Sequence, residues 1–472
     1  MKLQITIPGY VQKVAKTLVD NGFECYLVGG AIRDIVLGKT PHDYDLATDA
    51  LPDEMINIFP KSVATGAQFG TILALTEDDK GEIHEVETTT FRSEAEYVDG
   101  RWPSEVEFVV EIDKDLGRRD FTFNAMAMDL SLADLEGNIE QQTLEIYDPF
   151  NGLTDLNLRL VKAVGTPLER FKEDGLRALK ACRLASQLEF ELDKDTFEAI
   201  TKSVPVVEMV SMERVRDEFM KLLLNSSKPS KGINLLKDTG LLEIFLPELL
   251  ETIGIEQKLF HKYDVYEHSL RTCDIAEDSV KLVALLHDLG KVHTDTKDGH
   301  FYGHDSLGSE IAENIMQRLK FPKEDIEKAK KLIKNHMFYY PHVTEGMEEN
   351  EKEKTKLHEW SDAAVRRFLR RVGEENIDEL FKLRLADAMS NPSSEYNPEE
   401  IAQLQAHISE VLQQDMALNV LDLKINGDDL AQIGIEKGPI MGEMLDRLLD
   451  IVIEDPLKNK REILLEEAQK MM

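Results

Sequence analysis

The chain has 472 residues, enough for about three domains. Its 56 lysines and arginines against 90 aspartates and glutamates give a net charge of −34. That excludes a uniformly basic nucleic-acid binder but not a local basic groove, because distant charges are screened within about 10 Å. Hydrophobic residues make up 42%, and no apolar run approaches the roughly 18 residues needed to cross a bilayer. A cytoplasmic protein with no membrane partner is expected. Cys25, Cys182 and Cys273 are far apart and odd in number, which argues against a disulfide framework and a thiolate zinc site. Any bound metal should be held by Asp, Glu and His.

The start, MKLQITIPGYVQKVAKTLVDNGFE, reads as a short amphipathic helix. CYLVGG, DYDLAT, TILALTE and VEFVVEI are β-rich runs bounded by Gly, Pro and Asp. After about residue 155 the pattern turns helical, as in DGLRALKACRLASQL, ERVRDEFMKLLL, AVRRFLRRV and GEMLDRLLDIVI. Segments 224–232 and 340–356 read as connectors, and 425–439 is rich in turn residues. The expected fold class is α+β. A small mixed-sheet head (1–145) is followed by an all-helical neck (146–225), body (226–415) and tail (416–472).

In YLVGGAIRD (26–34) a short apolar strand ends at Gly29-Gly30 and enters a helix with Arg33 and Asp34 in its first turns. Glycines let a backbone approach a phosphate, and a helix start offers free N–H groups. By itself this is a plain turn. Asp43-Tyr44-Asp45-Leu46 follows. On a strand, alternate residues share a face, so Asp43 and Asp45 should project together. Two such carboxylates are costly unless a cation lies between them, and they suit Mg²⁺ ions for phosphoryl or nucleotidyl transfer. An exposed loop is the ordinary alternative. IHEVETTTFR (83–92) adds Glu85 and Glu87 on one alternating face. The GG, RD and DxD elements resemble the nucleotidyltransferase superfamily of the polymerase-beta type. That resemblance implies a third acid on a later strand, and Glu87 fits by its position before Thr90-Phe91-Arg92.

RRDFTFNAMAMD (118–129), DPFNGLTDL (148–156), RFKEDGLRALKACRL (170–184) and ERVRDEF (213–219) then appear in order. Together they resemble the class II tRNA nucleotidyltransferases, the bacterial CCA-adding enzymes and their poly(A) polymerase relatives, over residues 20–225. The resemblance implies template-independent addition of CMP, CMP and AMP, from CTP and ATP, to a tRNA 3′ end. It assigns Mg²⁺ to Asp43 and Asp45, and phosphates to Gly29, Gly30 and Arg33. Arg119, Asp120 and Asn124 go near the sugar and phosphates, although Asp120 also reads as a helix cap. Arg170 and the EDxxR motif, Glu173-Asp174-x-x-Arg177, lie on a predicted helix. There Asp174 and Arg177 are three apart and share a face. An acceptor beside a donor fork matches the amine and ring nitrogen of cytosine and of adenine, and mismatches uracil and guanine. A surface ion pair is the commoner use of such spacing. RSEAEYVDGRWPSEVE (92–107) matches the family's loop needed for the final A. It is full length, with Arg101 and Pro103, while Trp102 stands where a polar or basic residue is more usual.

Further on, His268 begins a helix, His287-Asp288 ends an apolar one, and Asp387 comes much later. This order resembles the HD phosphohydrolase superfamily. It implies four N/O ligands for a divalent metal, with His304 and His336 as candidates for a second position and Lys291 for a substrate phosphate. Hydrogen-bonded core histidines, or HD-type helices kept for packing, are the bland alternative. Segment 423–456 resembles the C-terminal motif of HD-containing CCA-adding enzymes, where Gly438-Pro439 opens a helix that could meet a tRNA phosphate. Arg366, Arg367, Arg370 and Arg371 form a stripe suited to phosphate or to neighbouring acids. The rival functions are CC-only or A-only addition, a poly(A) polymerase, and a phosphohydrolase. Oligomeric state is not legible.

Overall fold

A computed structural model describes the chain except for residues 79, 95–96, 99–101, 104–105, 137–140, 258–261, 295–299, 339, 341–359, 392–397 and 414–416. The chain divides into two compact units, Met1–Pro247 and Glu248–Met472. Among the described residues no helix is long and apolar enough to cross a membrane.

The first unit opens on a strand rather than a helix. In KLQITI the alternate residues Ile5 and Ile7 are buried, so a period of two prevails over the first five residues. These form β1 (Lys2–Ile5), and α1 (Gly9–Asp20) begins only after Pro8. Next come β2 (Cys25–Val28), α2 (Gly30–Val36), β3 (Asp45–Thr48), β4 (Ser62–Gly66), β5 (Thr71–Glu77) and β6 (Ile83–Thr90). They are followed by β7 (Arg92–Glu94), β8 (Tyr97–Val98), β9 (Trp102–Pro103), β10 (Val106–Phe108), α3 (Ile112–Gly117), β11 (Ala127–Asp129) and β12 (Gln142–Tyr147). The main sheet has the order β1-β12-β11-β2-β3-β6-β5-β4. It is mixed because β3 runs parallel to β6, with Leu46 against Thr88. Of VEFVVEI only Val106–Phe108 is strand, and it pairs with β7 in a separate ribbon. Val28, Ala47, Phe91, Leu116, Ala125, Ala127 and Val164 form a core that anchors the strand ends carrying Gly29 and Asp45.

Beyond residue 150 the unit is helical, with α4 (Pro167–Glu173), α5 (Leu176–Gln187) and α6 (Met212–Asn225). One exception breaks the all-helical expectation: Leu160–Val161 pairs with Glu191–Leu192 as a short parallel ladder. The connector expected at 224–232 is also shorter than expected. Helix α6 runs to Asn225, and the next helix starts at Pro229, a residue suited to a first helical position.

The second unit contains α7 (Val265–Ile275), α8 (Lys281–Leu286), α9 (His304–Arg318), α10 (Lys323–Asn335), α11 (Asp362–Val372), α12 (Ile377–Ser390) and α13 (Pro439–Glu454). Leu430, Leu448, Leu449, Val452 and Leu464 make its C-terminal core. The arginine stripe of α11 serves packing. Arg366 is buried and donates from Nε to the Ile453 carbonyl at 2.7 Å. Arg367 meets Glu454, and Arg370 meets Asp446 and Asp450 on α13. Arg371 lies over the Phe368 ring. The acidic face of α13 therefore takes the positions offered to phosphate. The connector at 340–356, apart from Tyr340, lies outside the described residues.

Candidate active site and metal centre

Gly29 joins β2 to α2 with φ 75°, a region that L side chains rarely adopt. A Cβ there would lie 3.1 Å from Arg119 Nη1 and 3.5 Å from Asp45 Oδ2. The bare backbone is what lets these two charged groups meet. Asp45 opens β3 opposite Val28, and the β3–β6 register sets Glu87 beside it. On β6, Val86 and Thr88 point inward while Glu85 and Glu87 point outward. The Asp45 carboxyl is pushed up to about 6, first by burial and then by the charge of Glu87. Arg119 opposes this, and Asp43 adds to it.

Asp43 does not share a strand face with Asp45. The β2–β3 ladder ends at Val28–Asp45, because the chain turns away at Gly29. Asp43 thus precedes the strand, exposed, with His42 Nδ1 3.1 Å from its Oδ1.

Behind this pair runs a polar chain. Arg33 Nη1 donates to Asn124 Oδ1 (3.2 Å), and Asn124 Nδ2 donates to Asp120 Oδ1 (3.1 Å). Burial pushes the Asp120 carboxyl up, but Lys180, the Asn124 bond and Arg177 outweigh it and hold the carboxyl below its usual range. Asp120 caps no α-helix: a 3₁₀ turn, Thr122–Asn124, follows it and leads into β11. Buried Asp115 on α3 pairs with both Arg118 (2.8 Å) and Arg119 (3.2 Å). Sequence reasoning missed Asp115, although acids three and four residues ahead of arginines are a helical pairing signal.

The EDxxR motif spans a break, not one helix face. Helix α4 ends at Glu173, Asp174 is extended (φ −144°), and α5 starts after Gly175. A Cβ on Gly175 would sit 2.9 Å from the Val206 carbonyl, so only glycine fits where α5 opens. Arg177 is buried and ion-paired to Glu173, and it donates to the carbonyls of Arg170 and Arg118, each at 3.2 Å. Arg170 also pairs with Glu173. Asp174 accepts instead from Arg214 Nη2 on α6 (2.9 Å) and from the Leu176 N–H (3.1 Å). Arg214 was quoted within ERVRDEF but not as a site residue. A contact forty residues away leaves no local spacing signal. In the loop after β7, the β8 and β9 backbones pair, and Arg101 lies outside the described residues.

In the second unit, His268, His287, Asp288, His304, His336 and Asp387 converge. His268 Nε2 is 3.0 Å from Asp387 Oδ1 and 3.5 Å from Asp288 Oδ2, and His287 Nε2 is 3.2 Å from Asp288 Oδ2. His304 and His336 approach Asp288 Oδ1 at 3.6 and 3.8 Å. The ligand atoms of His268, His287 and Asp288 lie within 4.8 Å of one another, as do those of Asp288, His304 and His336. Every ring is oriented from behind. Nδ1 of His287, His304 and His336 meets the carbonyl of Ala284, Phe301 and Ile333 respectively, and Nδ1 of His268 meets Ser390 Oγ. Each Nε2 is thereby turned into the cluster, the usual support for a metal-binding imidazole.

Gly290 makes this approach possible: a Cβ there would meet the His304 carbonyl at 2.1 Å. Burial works against a charged His287, but Asp288 and Asp387 outweigh it and lift the ring to about 10. Burial and the charge of His287 push His336 down to about 4. Lys291, expected to face a substrate phosphate, donates to Asp288 Oδ2 (2.6 Å) and Gln257 Oε1 (2.7 Å) and is buried. Its i−3 spacing from Asp288 accounts for that pairing.

Three family descriptions match in order along the chain. They are the poly A polymerase head domain over residues 25–162, a probable RNA and SrmB-binding site of polymerase A over 189–252, and a putative tRNA nucleotidyltransferase domain 2 over 304–468. The class is thus a nucleotidyltransferase with a polymerase-type head. The CCA-adding enzyme of Ligilactobacillus salivarius (strain UCC118) is 31% identical over 463 residues, 97% of this chain and 95% of that protein. That of Lactococcus lactis subsp. lactis (strain IL1403) is 42% identical over 254 residues, 53% of this chain and 60% of that protein, so this match spans less than two thirds of that relative. The structure of Bacillus stearothermophilus CCA-adding enzyme in complex with CTP is similar with a TM-score of 0.67 and 25% identity, over 98% of both chains. The chain belongs to the family of CCA-adding enzymes. His268, His287 and Asp288 fall between the second and third matched ranges.

Proposed function

We propose that the protein adds CMP, CMP and AMP, from CTP and ATP, to the 3′ end of tRNA without a nucleic-acid template, and works in the cytoplasm. The observation that carries this reading is Asp45 and Arg119 lying together at the bare Gly29 backbone, with the charge of Glu87 acting on Asp45. A half-buried carboxyl raised by desolvation and by a neighbouring acid is a site that a cation would stabilise. Asp43, Asp45 and Glu87 would hold divalent ions, Mg²⁺ in this reading. Bound there, the ions supply charge neutralisation for the triphosphate and a more acidic attacking hydroxyl.

The primer 3′-oxygen attacks the α-phosphorus, and pyrophosphate leaves. Gly29, Gly30 and Arg33 bind the phosphates, with Arg33 aimed by Asn124 and Asn124 by Asp120. Arg119, steadied by Asp115, lies on the same floor. Asp174 and Arg177 select the base. Each is braced, Asp174 by Arg214 and Arg177 by Glu173, so their positions are set before a nucleotide arrives. A carboxylate has about four acceptor sites. Two of those on Asp174 are used, leaving acceptors for an exocyclic amine. Arg214→Ala should therefore lower kcat/KM for CTP and ATP by about ten- to a hundredfold and raise misincorporation of UTP and GTP. Unchanged discrimination on a tRNA ending before CCA would remove Asp174 and Arg214 from base selection.

The deciding experiment offers tRNA transcripts ending before CCA, after C and after CC, with Mg²⁺ and each labelled nucleotide. The expected result is CMP on the first two and AMP on the third. CMP alone would make it a CC-adding enzyme, AMP on the third alone an A-adding enzyme, and long AMP tails a poly(A) polymerase.

A second reading concerns the other unit, where His287 Nε2, Asp288 Oδ1 and His304 Nε2 are buried without a hydrogen-bond partner among the described residues. His268, His287, Asp288 and Asp387 would hold one divalent ion. His304 and His336 would hold a second across Asp288. Metal there supplies activated water for attack on a phosphate ester, a phosphohydrolase activity separate from nucleotide addition.

A further inference from the structure

Lys291 is not available to a substrate phosphate, because it is buried between Asp288 and Gln257. The histidine–aspartate cluster beside it is nearly closed. The side chains of His268, His287, Asp288 and His336 are each 1% exposed. Of the six members only His304, at 10%, and Asp387, at 13%, reach the surface. A phosphate group entering from solvent therefore arrives beside one of these two.

The Asp387 side carries a cation. On α12, Arg384 lies three residues before Asp387, so the two share a helix face. Arg384 Nη1 donates to Asp387 Oδ2 at 2.9 Å. The other oxygen, Oδ1, lies 3.0 Å from His268 Nε2 and 3.7 Å from His287 Nε2. The two oxygens of one carboxylate thus divide their roles: Oδ1 faces the cluster, and Oδ2 holds the guanidinium at its mouth. Arg384 is 29% exposed, and Asp387 is its only polar partner among the described residues. A guanidinium presents five N–H groups in a planar fork. With Nη1 occupied, the edge formed by Nε and Nη2 stays open, and such an edge matches two oxygens of a phosphate. Neighbouring cations are engaged elsewhere. Arg271, one turn after His268, lies over the Tyr263 ring at 4.0 Å, and Lys382 pairs with Glu277 and Asp378.

We propose that Arg384 is the phosphate-binding residue of this cluster. Its open edge receives the anionic phosphate group of an ester substrate and holds it beside Asp387, the part that Lys291 cannot play. This rests on the phosphohydrolase reading above.

The test uses the full chain, saturated with Mn²⁺, and measures binding of inorganic phosphate by equilibrium dialysis. His287→Ala, which should lose the metal of this cluster, supplies the blank for phosphate bound elsewhere in the molecule. Arg384→Gln should weaken the remaining binding by about ten- to a hundredfold, while elemental analysis finds as much metal as in the unsubstituted protein. Arg384→Lys keeps a point charge without the fork and should recover only part of the loss. Unchanged phosphate affinity in Arg384→Gln overturns the proposal. Loss of metal from Arg384→Gln also overturns it, because the arginine would then act only by orienting Asp387. If the unsubstituted protein and His287→Ala hold the same metal and the same phosphate, the phosphohydrolase reading itself fails and the proposal falls with it.

Discussion

Asp45→Asn is expected to reduce nucleotide incorporation on the order of a thousandfold or more, without unfolding the protein. Asp45 is the carboxylate fixed in the sheet: its backbone pairs with Val28, and its side chain lies by the bare Gly29 backbone, where the charges of Glu87 and Arg119 act on it. Losing its charge removes a cation ligand from a centre that stabilises transition-state charge, and a thousandfold corresponds to about 4 kcal/mol. Stability should move the other way. The carboxyl sits near 6 because burial and Glu87 disfavour its ionised form, so a neutral isostere removes that repulsion. In EDTA the variant should be as stable as the original or more so, by about 1 kcal/mol. Mg²⁺ should raise the melting temperature of the original protein but not of the variant. Glu87→Gln should resemble Asp45→Asn in activity, and Glu85→Gln should not. Full incorporation by Asp45→Asn would end the assignment of this cluster as the active site.

The second large effect is expected at Asp288, whose carboxylate faces His268, His287 and Lys291 on one oxygen and His304 and His336 on the other. Removing one member of a buried charged set costs about 3–5 kcal/mol. Asp288→Ala leaves the buried Lys291 ammonium without this counter-charge, and the melting temperature should fall accordingly. Bound metal, measured by elemental analysis after purification, should be lost, and so should any phosphatase activity. Nucleotide incorporation, assayed below the melting point, should persist. His287→Ala, which leaves the Lys291–Asp288 pair in place, should also lose metal but cost less stability. Metal retained by both variants would exclude this cluster as the binding site.

The two clusters were legible in the sequence to different depths. Glycine turns, a DxD and a third acid are local patterns, and the sheet register brings Glu87 to Asp45 as alternation implies. The HD order and its two candidate histidines likewise named residues from five separate helical segments that do converge. What stayed hidden depends on packing between distant segments. The EDxxR break falls at extended Asp174, beside a glycine that the Val206 carbonyl packs against, and no window around residue 175 contains Val206. The brace from Arg214 to Asp174 is equally remote. The β1 strand was misread because α1 supplies a strong helical period immediately after it, while Ile5 and Ile7 give a strand period only two residues deep. The arginine stripe was ambiguous until the acids of α13 were found facing it.

The two aspartates before and within β3 differ in stiffness. Asp45 is paired to Val28 and leads directly into the β3–β6 ladder, whereas Asp43 stands in an exposed turn with a histidine as neighbour. Cations held between them would have one rigid wall and one compliant wall. In the proposed reaction the rigid wall would keep the α-phosphate in a fixed place for every nucleotide. The compliant wall would follow the RNA end as it lengthens, so that successive additions would need no rebuilding of the sheet.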